Sequence, residues 1–444
     1  MSGLNTDIQL TTDQQSVLDA IQGWFVDESA PQVLRLFGAA GTGKTTLVSR
    51  VPTALGLKMG TTALAGAFSG KAAHVLRSKG FEGAATLHSL CQVRMPNPAK
   101  IERDGLLREL ENDRLARQAI DRRDWPDAPE GMLTIDGLAR IQARIRELER
   151  PARQLTFGRG EDSVITEADL LICDEVSMVG KRLAEDVLSY GTKVLVVGDP
   201  AQLPPIEGGG YFTDPAARFE TVHLREVLRQ ALESPITRHA TWVREVTRQE
   251  VEQAAWRLGS APAASLDQLI EADRVLVAFN DTRWGVIRTL RAAMGRPDGE
   301  PVPGDEVICL QNNRDLGVFN GQTWTVEDAT YNRLHHTWDL VLVDELGETW
   351  EVAAFSEGFS QQGEKDLKQR NTGWRDEIAL LTFAQAMTVH KAQGSEYPHV
   401  VIIAEPARQL RIGGNWNIQP WLYTAITRGR ETATTYPRAE GARR

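Results

Sequence analysis

The sequence predicts an α/β protein with two parallel-sheet units, a pair of helices inserted in the first and a small antiparallel barrel or sheet in the second. Three features predict it. Apolar strand-like runs alternate with helical stretches toward both ends of the chain. Residues 96–160 are instead rich in Arg, Glu, Leu and Ala at helical spacing. Residues 301–355 switch to short alternating runs separated by Gly turns.

The first strand is "VLRLF" (33–37), which runs into "GAAGTGKTT" (38–46), and "TTLVSRVPTAL" then reads as a helix. A second strand is expected at "MGTTALA" (59–65) and a helix at "GKAAHVLRSKG" (70–80), stopped by Gly80. In the insertion, "IERDGLLRELENDRLARQAIDRR" and "IDGLARIQARIRELERPARQ" read as exposed amphipathic helices joined by "DWPDAPEGM". Their alternating charges equally suit a plain solvated face. The α/β pattern resumes with strand "DLLICDE" (169–175), a helix near 180–190, strand "KVLVVGD" (193–199) and the strand–helix pair in 274–295. "EVICLQNN", "GQTWTVEDA", "TWDLVLVDE" and "ETWEVAAF" read as a small antiparallel barrel or sheet, and "SQQGEKDLKQRNTG" (360–373) reads as a loop-like connector. Strand "HVVIIAE" (399–405) and helix "WLYTAITRGR" (421–430) end the pattern.

Composition bounds the function. The chain has 444 residues, 41% hydrophobic and 25% charged, which suits two to four globular domains. No apolar run approaches the ~20 residues of a membrane helix. The N-terminal "MSGLNTDIQLTTDQQ" lacks the layout of a signal peptide, so an intracellular, cytoplasmic protein is expected. Cys91, Cys173 and Cys309 stand far apart, which argues against a disulfide framework or zinc module. The net charge of −10 argues mildly against nucleic acid, although a local groove can bind a strand while the outer surface stays acidic.

Residues 38–45 fit G-x-x-x-x-G-K-[ST]. Gly38, Gly41 and Gly43 let the backbone approach phosphate, Lys44 reaches the β- and γ-phosphates, and the Thr45 hydroxyl ligates Mg²⁺. In "LLICDEVSM" an apolar strand delivers Asp174 and Glu175 at its C-terminal end. There Asp174 would hold Mg²⁺ and Glu175 would deprotonate the attacking water. An acidic pair after a strand is often only an exposed end; downstream of a phosphate loop it points to hydrolysis. "VVGDPAQLPPI" (196–206) places the neutral amide of Gln202 where it would sense a γ-phosphate. Arg229 in "LREVLRQ" and Arg428 in "LYTAITRGR" sit in apolar helical contexts. Each alone reads as a salt bridge, but together they suggest fingers that close on ATP. "MTVHKAQGSEY" (387–397) collects hydroxyl, imidazole, ammonium and amide donors suited to phosphate or nucleotide contacts.

Taken in order, "LTTDQ", "GAAGTGKTT", "FSGKAAHVL", "ATLHSL", "DEVSM", "GDPAQLPP", "LREVLRQ", "TVHKAQGSEY" and "YTAITRGR" resemble the motif set of superfamily 1 helicases, nearest the 5′-to-3′ RecD/Dda-like group. The resemblance spans roughly 10–430, with 92–165 and 300–380 poorly matched. It implies two RecA-like domains, 1–91 with 161–222 and 223–300 with 380–444. It also implies a strand-splitting hairpin domain inserted at 92–160 and an SH3-like barrel at 301–379. It implies ATP and Mg²⁺ as cofactors, single-stranded and forked duplex DNA as partners, and a monomer that unwinds DNA in replication, recombination or repair, with proteins of those processes as partners. Gln14 would contact adenine; Thr46, Gln393, Gly394 and Glu396 would join the nucleotide set; Ser69, Lys71, Thr86, His88, Thr388 and His390 would line the strand. Two departures stand out. Phe68-Ser69 replaces the usual Pro-Thr, which leaves Phe68 between stacking on a base and packing in the core. The hairpin region is longer and helical: "CQVRMP" and "ARQLTFG" would form the stem, with Phe157 or Trp125 against the duplex. A translocase that remodels protein–DNA complexes, an RNA-directed helicase and an ATP-switched nucleic-acid clamp remain as alternatives.

Overall fold

The structure is a computed structural model. It describes residues 9–438 except 96–97, 120–133, 153–155, 160–162, 206–207, 229–230, 232, 259, 314–315, 319, 345–346, 371–376 and 410–416. The strands, in chain order, are β1 (Val33–Gly38), β2 (Ala63–Ala67), β3 (Ala85–Thr86), β4 (Gln92–Met95), β5 (Thr156–Arg159), β6 (Leu170–Asp174), β7 (Lys193–Gly198), β8 (Glu220–Leu224), β9 (Arg274–Val277), β10 (Glu306–Cys309), β11 (Thr323–Asn332), β12 (Thr337–Val343), β13 (Thr349–Phe355), β14 (Leu381–Phe383), β15 (Ala386–Thr388), β16 (Tyr397–Ala404) and β17 (Gly429–Pro437).

Six of these form a parallel sheet in the order β3-β2-β6-β7-β1-β8. Its central strands are apolar on both faces, as a sheet covered by helices requires. Leu34 and Leu36 of β1 pack with Leu170, Ile172, Leu195 and Val197 on one side. Val33, Phe37, Leu171, Cys173, Val194 and Val196 pack on the other. One charge lies inside this sheet. The Arg35 guanidinium donates to Thr221 Oγ1 (2.8 Å) and to the carbonyls of Phe212, Asp214 and Phe219, and it stacks on Phe37 and Phe219. Burial lowers its pKa, and the carbonyl acceptors make the charge tolerable. All three cysteines are free and buried.

A second parallel sheet has the order β15-β9-β16-β17. Here β17 is an addition to the sequence reading: the expected helix stops at Ile426, and Gly429 begins a strand beside β16. The long helix expected after the phosphate loop is split into Lys44–Val48 and Val51–Ala54. Pro52 has no amide hydrogen for a continuous ladder and clashes with the preceding turn.

Between these sheets in sequence, five antiparallel strands run β13-β12-β11-β10-β14. The array closes on itself, because Ala379 N–H donates to Ala353 O (2.7 Å) and Phe355 N–H to Ala379 O (3.1 Å). The result is a small barrel that reaches Phe383, beyond the expected boundary at 379. Its inward residues Val307, Trp324, Val326, Leu340, Leu342 and Val352 share one core with Val275 and Val277 of the second sheet and with Trp284. The helix Asn280–Ala293 pins it further: the buried Arg291 pairs with the buried Asp305 (2.6 Å), which also receives Arg296 and the Gln385 amide.

The stretch expected as a connector contains the helix Gln361–Arg370 instead. Its polar sequence hides two tertiary anchors. Leu367 is buried, and buried Glu364 pairs with buried Arg283 while accepting from the Trp284 indole (3.1 Å). The insertion in the first unit is a two-stranded hairpin, with Arg94 opposite Phe157, that carries the helices Pro98–Ala119 and Ile135–Ala152. Trp125 and the Phe157 side chain lie outside the described residues.

Replacing Glu364 with alanine would strand a buried guanidinium. The expected cost is about 3–5 kcal/mol, read as a lower midpoint in urea unfolding. A loss under about 1 kcal/mol would show that the pair does not hold this helix.

Candidate active site at the seam of two sheets

The phosphate loop follows β1 and enters the helix Lys44–Val48 through two left-handed glycines, Gly41 (φ 81°) and Gly43 (φ 76°). A Cβ on Gly43 would lie 2.5 Å from Gln14 Nε2. Gln14 is held by a reciprocal cap: Thr11 Oγ1 accepts its amide hydrogen (3.2 Å), and its Oε1 accepts from Thr11 N–H (3.1 Å). Its remaining donor meets Thr42 O at 3.3 Å. Gln14 therefore braces the loop at Thr42 and Gly43. Lys44 folds back onto the loop and donates to Gly38 O (2.8 Å) and Ala39 O (2.9 Å).

β6 ends at Asp174, whose Oδ1 accepts from Glu175 N–H (2.9 Å). Glu175 has φ 54°, one of two non-glycine residues with positive φ among those described. Such a conformation costs on the order of 1–3 kcal/mol and tends to persist where it aims a side chain for function. Burial and the neighbouring Glu175 push the Asp174 carboxyl up to about 6, against the pull of its backbone hydrogen bond, Lys44 and Lys79.

These residues open onto a cavity of about 580 Å³. The first sheet contributes Lys44, Thr45, Thr46, Asp174, Glu175 and Gln202 to its wall. The second half contributes Gly394, Glu396, Thr427, Arg428 and Arg430. Arg428 is 4% exposed, and its guanidinium donates to Thr424 O, Ser395 O and Thr427 Oγ1, each at 3.1 Å. It lines the cavity while held by its own helix end. Arg229 lies outside the described residues, and its neighbours Leu228 and Ala231 line the cavity.

The two halves are stitched together beside this cavity. Leu203 N–H donates to Thr424 Oγ1 (2.9 Å), and Leu203 O accepts from Gln393 Nε2 (3.0 Å). Tyr423 accepts from Ala40 N–H of the phosphate loop (3.2 Å) and donates to Asp199. A Cβ on Gly394 would lie 2.9 Å from the Ala72 Cβ, so the loop after β15 abuts the start of the helix Gly70–Ser78.

The residues expected along a strand each make contacts within the protein. Ser69 caps that helix by accepting from Ala72 N–H (3.1 Å). Lys71 is buried, lines the cavity, lies over the Tyr397 ring and donates to Thr323 of the barrel (3.4 Å). Thr86 is buried and its hydroxyl caps the next turn through Ser89 N–H (3.1 Å). His88 meets the Phe68 ring with centroids 5.9 Å apart, and the half-buried Phe68 packs against the core. Thr388 precedes the short helix Val389–Ala392 without a side-chain capping bond, and burial lowers the pKa of His390 within it. Sequence reasoning missed Lys79, Arg430 and Tyr423. Lys79 lies beyond the motif at 68–76, Arg430 sits in the same motif as Arg428 but was passed over for it, and a tyrosine in an apolar helix reads as core.

Two parallel sheets facing each other across a phosphate cradle define a P-loop nucleotide-binding protein of two RecA-like domains. The AAA domain family matches residues 9–259, and the UvrD-like helicase C-terminal domain matches 383–434. The chain belongs to the AAA domain family. It is similar to the ATP-dependent RecD2 DNA helicase of Deinococcus radiodurans, 27% identical over 286 residues covering 59% of this chain and 35% of that protein. It is also similar to the conjugal transfer protein TraA of Agrobacterium fabrum, 25% identical over 324 residues covering 64% and 26%. It thus spans about a third or less of these relatives' length. In fold it resembles Bacteroides Pif1 bound to ssDNA, with a TM-score of 0.52, 18% identity, and 97% and 92% of the two chains covered. No helix among the described residues is long and apolar enough to cross a membrane.

Substituting Gly43 with alanine would put a side chain at positive φ against Gln14. Affinity for a fluorescent ATP analogue is expected to fall about tenfold, a loss of roughly 1–2 kcal/mol. Parental affinity would show that the left-handed turn is dispensable.

Proposed function

We propose that the chain is an ATP-dependent DNA helicase that moves 5′ to 3′ on single-stranded DNA and parts the duplex ahead of it. One observation carries the reading: the cavity at the phosphate loop has walls from both sheets, so a nucleotide bound there is pinched between two lobes. Closure is then favoured only while the triphosphate supplies contacts to both.

The roles divide accordingly. Gln14 faces adenine. The amides around Gly38, Gly41 and Gly43, with Lys44 and Thr46, hold the phosphates. Glu175 takes a proton from the attacking water, and its forced conformation aims the carboxylate into the cavity. Gln202 reads the terminal phosphate: it is buried, and its Oε1 has no partner among the described residues. Arg229 and Arg428 supply positive charge as the lobes close, while Gln393, Gly394 and Glu396 pass the nucleotide state to the loop after β15. The residues fit Mg²⁺, which takes one or two protein oxygens and completes its shell with phosphate and water; Thr45 and Asp174 offer those oxygens on one wall. When bound, it would neutralise developing phosphate charge.

The lobes in this reading are 1–91 with 161–222 and 223–300 with 380–444. The strand crosses them past Ser69, Lys71, Thr86, His88, Thr388 and His390. The insertions 92–160 and 301–379 are the strand-splitting hairpin and an SH3-like barrel.

A fluorescent duplex with a 5′ or a 3′ single-stranded tail tests the whole reading. ATP-dependent opening of the 5′-tailed duplex alone is expected. Glu175→Gln should bind ATP yet turn it over at least about a hundredfold more slowly. Turnover without opening of either duplex would indicate a bare translocase, and near-normal turnover in the variant would remove Glu175 as the base.

Replacing 98–152 with a short Gly-Ser turn should reduce duplex opening at least tenfold while strand-stimulated ATP turnover stays within about twofold. Equal loss of both would show that the hairpin does not act as the wedge.

A further inference from the structure

Tyr423 joins three elements that the motifs treat separately. It lies in the helix Ile418–Ile426 with its ring buried. Its hydroxyl accepts from Ala40 N–H (3.2 Å) and donates to Asp199 Oδ2. Asp199 is itself buried, and its Oδ1 accepts from Ala201 N–H (3.0 Å), two residues before the Leu203 that Thr424 and Gln393 hold. Burial and Asp199 push the phenol pKa well above its ordinary value, so the hydroxyl stays protonated.

Ala40 is the third residue of the phosphate loop, and amides of such loops turn toward bound phosphate. Here that amide is spent on a neutral phenol oxygen. A phosphate oxygen is charged and is the stronger acceptor. A triphosphate that takes the Ala40 amide leaves Tyr423 holding Asp199 alone. The same helix carries Thr424, which grips Leu203, and ends at Thr427 and Arg428 on the cavity wall.

We propose that Tyr423 is a positioning residue: its hydroxyl exchanges the Ala40 amide with the nucleotide and thereby couples filling of the phosphate loop to the grip between the lobes. The inference rests on the motor reading above and names the contact through which the nucleotide state crosses the seam. A tyrosine that merely fills space would owe its effect to the ring, which phenylalanine keeps. A coupling tyrosine owes it to the oxygen.

The test is Tyr423→Phe in the full chain. Affinity for a fluorescein-labelled oligo-dT is measured by anisotropy with and without a non-hydrolysable ATP analogue, and analogue affinity is measured separately without DNA. The parent is expected to change its strand affinity several-fold on binding the analogue. In the variant this ratio should fall to within about twofold of unity. Analogue affinity should rise about threefold, because the Ala40 amide is no longer occupied. A parental ratio and parental analogue affinity in a folded variant would overturn the proposal. Should Tyr423→Phe fail to fold, Asp199→Asn replaces the charged acceptor with a neutral one of the same shape; it should at least halve the ratio, and an unchanged ratio overturns the coupling equally. A parent that binds the analogue but no strand overturns the motor reading instead, while the DNA-free measurement still decides whether Tyr423 occupies the loop.

Discussion

Everything at the seam depends on how Leu203 is held. It follows the exit of β7, a strand of the first sheet, yet its side chain sits in the apolar core under the second, among Trp421, Leu422 and Tyr397. Both its backbone groups are satisfied by that second half, through Thr424 and Gln393. A loop buried in a foreign core must have its peptide groups paired there, or each costs about 1–3 kcal/mol. The sheets therefore approach in one register, and that register makes a cavity with walls from both.

The same junction contains polar atoms that the described residues leave without partners: Gln202 Oε1, Gln393 Oε1 and Ser177 Oγ. Native interiors hold few such groups. Gln202 lines the cavity and Gln393 directly precedes Gly394 on its wall. Two unsatisfied amide oxygens beside a junction held by few hydrogen bonds describe an arrangement that can be traded for another at modest cost. Asp174, its carboxyl raised by burial and Glu175, adds a group whose charge is costly until a cation or donor arrives.

How much of this was legible follows from where the information lies along the chain. The phosphate loop, the acidic strand end and the β7 exit were readable because each is a contiguous segment whose chemistry depends on local spacing. The stem of the inserted hairpin was readable for the same reason, and β4 pairs with β5 within one residue of the segments expected. The helix Gln361–Arg370 was not, because its stability comes from Arg283 and the core and not from its own polar sequence. The strand β17 was hidden because the motif read as helix runs to Arg430, whereas the helix stops at Ile426 and the strand begins at Gly429. Ser69 and Thr86 were marked for their hydroxyls, which the fold spends on helix starts. Tyr423 shows the remaining limit: an oxygen on an aromatic ring has meaning only once Ala40 and Asp199, far away in sequence, are brought to it.

The barrel shares its interior with one face of the second sheet and is tied to it through Arg283 and Arg291. Its longest strand, β11, has ten residues and ends near the turn that carries the fully outward Leu334. At about 3.3 Å per residue that is roughly 30 Å of rigid beam. A swivel of about 10° between lobes would sweep the tip through about 5 Å. The barrel is in this sense a pointer fixed to its sheet: any rotation of that sheet is enlarged at Leu334.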